Sequence, residues 1–163
     1  MPDTLYPHTL YLCFVSQNID IRNRRASFEF AFIERYTAGI VLKGSEIKSI
    51  REGKAAINDA HCIIHNGELF IKGMHIAEYK NAGTYGHVPV SDRKLLLNKK
   101  ELKDIADSLK NKGLTVIPLH LFLNKRGFAK IEIAVAKGKK VHDKRDTLKK
   151  RDSDREISRE FRK

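Results

Sequence analysis

Seven histidines and two cysteines are the residues of this chain best suited to ligating a metal or moving a proton, and their spacing favours neither task. His61 and His65 are the nearest histidine pair. On a strand pattern they share one face, but no third ligand stands near them. Cys13 and Cys62 sit in unlike contexts and form no CxxC or Cys/His pattern, so neither a disulfide staple nor a zinc site is expected. The chain has no phosphate loop, no HExxH and no nucleophile elbow. His120 lies inside an apolar strand pattern and reads as a core or rim histidine. A basic ribonuclease, using His61 or His120 with Lys130, is the catalytic alternative.

The larger chemical signal is positive charge. The chain of 163 residues carries a net charge of +12, which points to a polyanionic partner. From Lys137 to Lys163, twelve Lys and Arg face six Asp and Glu, so this last sixth of the chain holds half of the net charge. Val141, Leu148, Ile157 and Phe161 are its only sizeable apolar groups. They bury too little to offset the entropy of ordering the segment, so a tail disordered when free is expected over 137–163. Nucleic acid fits this charge better than a membrane, because the longest apolar run, Leu10 to Val15, is far too short to span a bilayer. That run also lacks the flanks of a secretory signal, and a reducing, cytoplasmic location is expected.

Behind these charges the chain must supply a scaffold. With 41% hydrophobic residues it has enough for one domain, expected over 21–136. Residues 1–20 have irregular apolar spacing and read as a poorly ordered head; a native start near Val15 is the second reading. Phe28, Phe30 and Phe32 alternate as a strand whose aromatic face either stacks bases or, the more ordinary outcome, packs inside a barrel. Thr37-Ala38-Gly39 allows a turn or bulge before a buried strand at Ile40-Val41-Leu42. Gly44 to Gly53 reads as a short helix with Ile47 and Ile50 inward and Glu46, Lys48, Arg51 and Lys54 outward. Cys62–His65 and Glu68–Ile71 flank Asn66-Gly67, the sharpest hairpin signal in the chain.

Residues 77–93 form a long loop in which Tyr79, Tyr85 and His87 alternate with Lys80 and Arg93, a pattern suited either to clasping RNA or to a solvated loop. A helix follows Asn98, with Leu102, Ile105, Ala106 and Leu109 on one face and a stop at Gly113. Strands over 115–123 and 128–136 close the body through an Asn124-Lys125-Arg126-Gly127 turn. About six strands, two or three short helices and no βαβ alternation predict a mainly β, OB-like closed antiparallel barrel.

Four blocks carry a family resemblance. They are Asn23-Arg24-Arg25-Ala26; Gly44-Ser45-Glu46-Ile47-Lys48-Ser49-Ile50-Arg51 with Gly53-Lys54-Ala55; Arg93-Lys94-Leu95-Leu96-Leu97-Asn98 with Glu101-Leu102; and Ala136-Lys137-Gly138-Lys139-Lys140 with His142-Asp143-Lys144-Arg145. In this order and spacing they resemble the small protein B (SmpB) family of SsrA-binding proteins. The resemblance implies an OB-like barrel that grips the tRNA-like domain of transfer-messenger RNA. It implies delivery to stalled ribosomes with elongation factor Tu, engaged indirectly through the RNA, for trans-translation. It implies no catalysis, no cofactor, and action as a monomer.

Carried over by position, Asn23, Leu96 and Lys130 match family positions that grip RNA. The same blocks make Arg24, Arg25, Lys48, Arg51, Lys54, Arg93 and Lys94 candidate RNA contacts. Thr37 stands where many members carry an acidic RNA-contacting residue. His142 matches the residue that meets the decoding centre, with Lys137, Lys139 and Lys140 as its basic lead-in and Asp143, Lys144 and Arg145 after it. The tail is thereby expected to probe the decoding centre and the empty messenger channel. Ser45, Ile157 and Phe161 depart from the family pattern, and the head before Ile19 has no counterpart in it. A generic OB-type RNA binder or chaperone is the alternative of another class.

Overall fold

The computed structural model describes residues 19–80 and 86–140. In chain order these form β1 (Asp20–Arg22), α1 (Ala26–Glu29), β2 (Phe30–Ile40), α2 (Gly44–Arg51), β3 (Ala55–Ala56), β4 (His61–His65), β5 (Glu68–Lys72), β6 (His75–Ile76), β7 (Arg93–Leu96), α3 (Lys99–Leu109), β8 (Leu114–Leu123) and β9 (Ala129–Gly138). The main sheet runs β8–β4–β5–β7–β2–β9, and β9 pairs back to β8, so six antiparallel strands close into the expected barrel. Closure leaves none of the six with an open edge. β1 adds to the outside of β8, and β3 pairs with β6 in a small separate sheet. None of the described helices is long and apolar enough to cross a membrane.

The interior follows the alternation of the strands. Along β9, Ala129, Ile131, Ile133 and Val135 point inward and are at most 7% exposed. They meet Leu69, Ile71, Leu95, Val116 and Leu121, while Ile50 of α2 and Ile105 of α3 close the core. Each fully buried Ile or Leu contributes about 1.5–3 kcal/mol over leaving it in water. Asn66 and Gly67, at φ +50° and +73°, make the β4–β5 hairpin turn in the left-handed conformation it requires. Asn98 is the N-cap of α3, and its backbone N–H donates to the Glu101 carboxylate at 2.9 Å.

Three expectations change. Phe28, Phe30 and Phe32 do not line the barrel. The Asn23 side-chain oxygen accepts from the Arg25 and Ala26 N–H groups, which turns Ala26–Glu29 into the single helical turn α1. Phe28 belongs to that turn, and Phe30 and Phe32 pack outside the barrel with Ala26, Ile117, Leu119 and Ala136. β2 also continues unbroken through Thr37-Ala38-Gly39 and ends at Ile40, so Val41 is 50% exposed and not part of the buried strand expected over Ile40-Val41-Leu42; its irregularity lies earlier, between Phe32 and Glu34. Finally, β9 extends to Gly138, two residues beyond the expected end of that strand, because Lys137 and Gly138 pair with Ala31 and Phe30. Lys139 continues this attachment, its N–H donating to Glu29 O and its Nζ to Ser27 O, both at 2.9 Å. Of the head expected over 1–20, residues 1–18 lie outside the described residues and Asp20 opens β1; of the tail expected over 137–163, the part from Val141 onward, including His142, Asp143, Lys144 and Arg145, also lies outside them.

Candidate nucleic-acid interface

The cluster under α1 covers one end of β9 on its outer side, where Ala134 and Ala136 are fully buried. The other end of the strand keeps its outer face open. There the register aligns side chains in rows across the sheet. Leu96 of β7 pairs with Gly39 of β2, which pairs with Lys130 of β9, which pairs with Phe122 of β8. Gly39 has no side chain to fill this row. A Cβ there would lie 3.4 Å from Leu96 Cβ and 3.8 Å from Lys130 Nζ, so the bare backbone is a shallow floor between the two. Leu96 is 52% exposed beside it. An exposed apolar side chain, an open backbone and a cation side by side in one row can receive an unpaired base or sugar with its phosphate.

The adjacent row is Thr37, Glu132, His120 and Arg22. Its charges are mutually occupied. Glu132 faces Arg35 at 3.4 Å and His120 at 4.0 Å, and His120 Nε2 lies 2.5 Å from Asp20 Oδ1 while its ring stacks on Phe122. Arg22 donates to both oxygens of Asp20, and this holds the Asp20 carboxyl below the usual carboxylate range. Among the described residues no carboxylate comes within ion-pair distance of Lys130, which leaves its charge for a phosphate.

The structure brings Leu96, Lys130 and Thr37 together on this face, with Lys94 two residues from Leu96 and paired to Glu68 at 2.5 Å. Arg51, Lys48 and Lys54 are exposed on and just after α2. Arg51 reaches Gly127 O at 3.5 Å, Lys48 lies over the Tyr79 ring, and Lys54 pairs with Glu52. Asn23, Arg24 and Arg25 lie elsewhere, beside α1. The Asn23 amide donates to Pro118 O and Ile57 O, so it joins β8 to the segment before β4, and Arg25 stands 3.6 Å from Asp59. A recess of about 280 Å³ opens here, with Asn23, Glu29, Phe30, Asp59 and His61 among its walls. His61 lines this recess and Lys130 does not, whereas His120 stands on the row next to Lys130 across β8 and β9, so of the two histidines of the ribonuclease alternative the register brings His120 to the lysine's face. Lys137, Lys139 and Lys140 follow at the same end of the barrel.

Arg93 is corrected from a surface contact to an internal one. It is 3% exposed and donates from Nε to Glu46 Oε1 at 2.9 Å, and from its Nη atoms to Met74 O, Ser91 O and Pro89 O. Glu46, expected to face outward, is also 3% exposed; its second oxygen accepts the Lys43 N–H at 2.7 Å. This fully bonded ion pair ties α2 to β7 and to the returning loop, and it offers nothing to a ligand. His87 is likewise internal, between Ser45 Oγ at 2.9 Å and Ile76 O at 3.2 Å. Tyr85 lies outside the described residues. Gly39 was missed as part of the interface, although a lone glycine inside a strand pattern signals a close approach of backbone.

The comparisons agree with this architecture. The family model described as SmpB protein matches residues 20–163. An SsrA-binding protein of Cytophaga hutchinsonii is 54% identical over 145 residues, covering 89% of this chain and 95% of the relative. An SsrA-binding protein of Christiangramia forsetii is 50% identical over 151 residues, covering 92% and 96%. A solved chain described as "tmRNA-SmpB: a journey to the center of the bacterial ribosome" superposes with a TM-score of 0.63 at 41% identity, covering 76% of this chain and 86% of that one. A match of this extent, with relatives half or more identical along nearly their whole length, places the chain in the SmpB family.

Proposed function

We propose that the protein binds the tRNA-like domain of transfer-messenger RNA and brings it to stalled ribosomes for trans-translation. The observation that carries the reading is the open Leu96–Gly39–Lys130 row on the barrel of an SmpB-family chain with net charge +12. Lys130 meets a phosphate, Leu96 supports an exposed base or sugar, and Gly39 lets the RNA approach the sheet closely. Thr37, Lys94, Arg51, Lys48 and Lys54 frame this contact, while Arg24, Arg25 and Asn23 form a second border beside α1. The tail, with His142 at its decoding-centre position, senses the empty messenger channel. Its lead-in, Lys137 and Lys139, starts from the sheet. The protein acts by binding, as a monomer, without a cofactor.

The test is a competition with a truncation. Filter binding of the tRNA-like domain is measured against bulk tRNA as salt is raised, for the full chain and for a chain ending at Lys140. Counterion release weakens every RNA, so a binder without shape recognition loses both ligands in parallel. Retention of the tRNA-like domain at salt that strips tRNA is expected for both proteins, with tagging on stalled ribosomes lost only in the truncated one. Loss of RNA binding on truncation would overturn the division of labour between barrel and tail.

A further inference from the structure

The outward face that carries Lys130 ends in apolar side chains that the contacts above leave unused. Phe128 is 64% exposed and Val41 is 50% exposed. Ala129, only 7% exposed, points inward between Phe128 and Lys130, so those two share the outer side of the chain. On β2 the inward Ile40 separates Gly39 from Val41 in the same way. Gly39 pairs with Lys130 in antiparallel register; Val41 lies two residues beyond Gly39 and Phe128 two residues before Lys130, so both follow the last paired residues at the same end of this ladder.

This aromatic ring stands on a fixed backbone. The Asn124 N–H donates to Phe128 O at 2.9 Å, and the Asn124 side-chain oxygen accepts from the N–H groups of Arg126 and Phe128 at 3.0 and 2.8 Å. Arg51 braces the hairpin from α2 through Gly127 O. Lys125, Arg126 and Lys130 are near neighbours of Phe128 in sequence, Arg51 reaches Gly127 O next to it, and no carboxylate occurs from Asn124 to Ile131. A protein partner covering Phe128 would have to neutralise these cations; RNA does so with its phosphates while stacking a base on the ring.

We propose that Phe128 is a stacking platform for an unpaired base of the bound RNA, with Val41 against its edge and Arg51, Arg126 and Lys130 at the flanking phosphates. The inference rests on the RNA-binding function above and extends its contact face to the β8–β9 hairpin. The probe is the tRNA-like domain carrying 2-aminopurine at single unpaired positions, bound to the full-length protein and to Phe128→Ala, Phe128→Leu and Phe128→Trp. At one position the native protein and Phe128→Trp are expected to quench the fluorescence. Phe128→Ala and Phe128→Leu are expected to leave it unquenched and to bind about 5- to 100-fold more weakly. Full recovery by Phe128→Leu would assign the ring to packing and overturn the proposal. Unchanged binding by Phe128→Ala, with Lys130→Ala still weakened, overturns it and leaves the RNA reading intact. Tagging lost without any loss of RNA binding overturns it in favour of a protein or ribosomal contact. If the native protein shows no preference for this RNA over tRNA at raised salt, both readings fall.

Discussion

At the scale of single residues, the proposed interface depends on what Gly39 lacks as much as on what its neighbours carry. Leu96 and Lys130 come from strands far apart in sequence, and the missing side chain between them leaves the space that the proposed RNA contact needs. Lys130 was legible as an outward charge on an alternating strand, and the structure keeps it there. Its proximity to Leu96 was not, because cross-strand neighbours are fixed by register. Removing one phosphate contact should weaken all RNA ligands to a similar degree. Lys130→Ala is therefore expected to lower the slope of log K against log salt by about one unit, measured by filter binding over a salt series. Cys62 illustrates the opposite environment. Burial pushes its thiol up to about 12, so the thiol stays neutral in the fold. Its contribution to stability is complete below the unfolded value of 9.0 and is lost as pH rises towards 12. In a Cys13→Ser background, Cys62 should resist iodoacetamide at pH 8 and react only in denaturant. The fall in urea midpoint between pH 8 and pH 10.5 should be shallower in Cys62→Val.

At the scale of elements, the Glu46–Arg93 pair is the joint that sets α2 against β7. Both residues look like surface charges in a sequence, since charge type and helical period give no sign of a partner 47 residues away. The local signals behaved differently. Asn66-Gly67 specified its hairpin and Asn98 with Glu101 specified the entry to α3, because those hydrogen bonds and dihedrals involve near neighbours. Phe28 was misplaced for a related reason: alternation continues on paper through a helical turn that Asn23 imposes from outside it. Arg93→Ala leaves Glu46 buried without its countercharge and is expected to cost about 3–5 kcal/mol. In a domain of this size that lowers Tm by roughly 6–20 °C, readable by calorimetry. The salt slope of RNA binding should not change, since no phosphate contact is removed. Replacing Glu46 and Arg93 together with Met should restore much of the lost stability, because the uncompensated charge is then gone.

For the whole molecule, the alternating pattern announced a closed barrel of six strands, and closure is what the register delivers. What composition could not show is where barrel ends and tail begins. Lys137 and Lys139 look like the first residues of a charged tail, yet Lys137 completes a ladder on both sides, with Ala31 and with Leu114. A cut after Ala136 would therefore remove sheet pairing along with the tail, and the truncation that isolates the tail's role must keep Lys140. Chains ending at Lys140 and at Ala136 should differ in thermal stability, and only the shorter one should unfold earlier than the full chain. β9 thus carries Lys130 near one end and the origin of the tail at the other, and the eight residue steps from Lys130 to Gly138 span roughly 27 Å of strand. On the proposed contact the strand works as a caliper: with RNA seated at one jaw, the starting point of the tail would be set by the length of the strand.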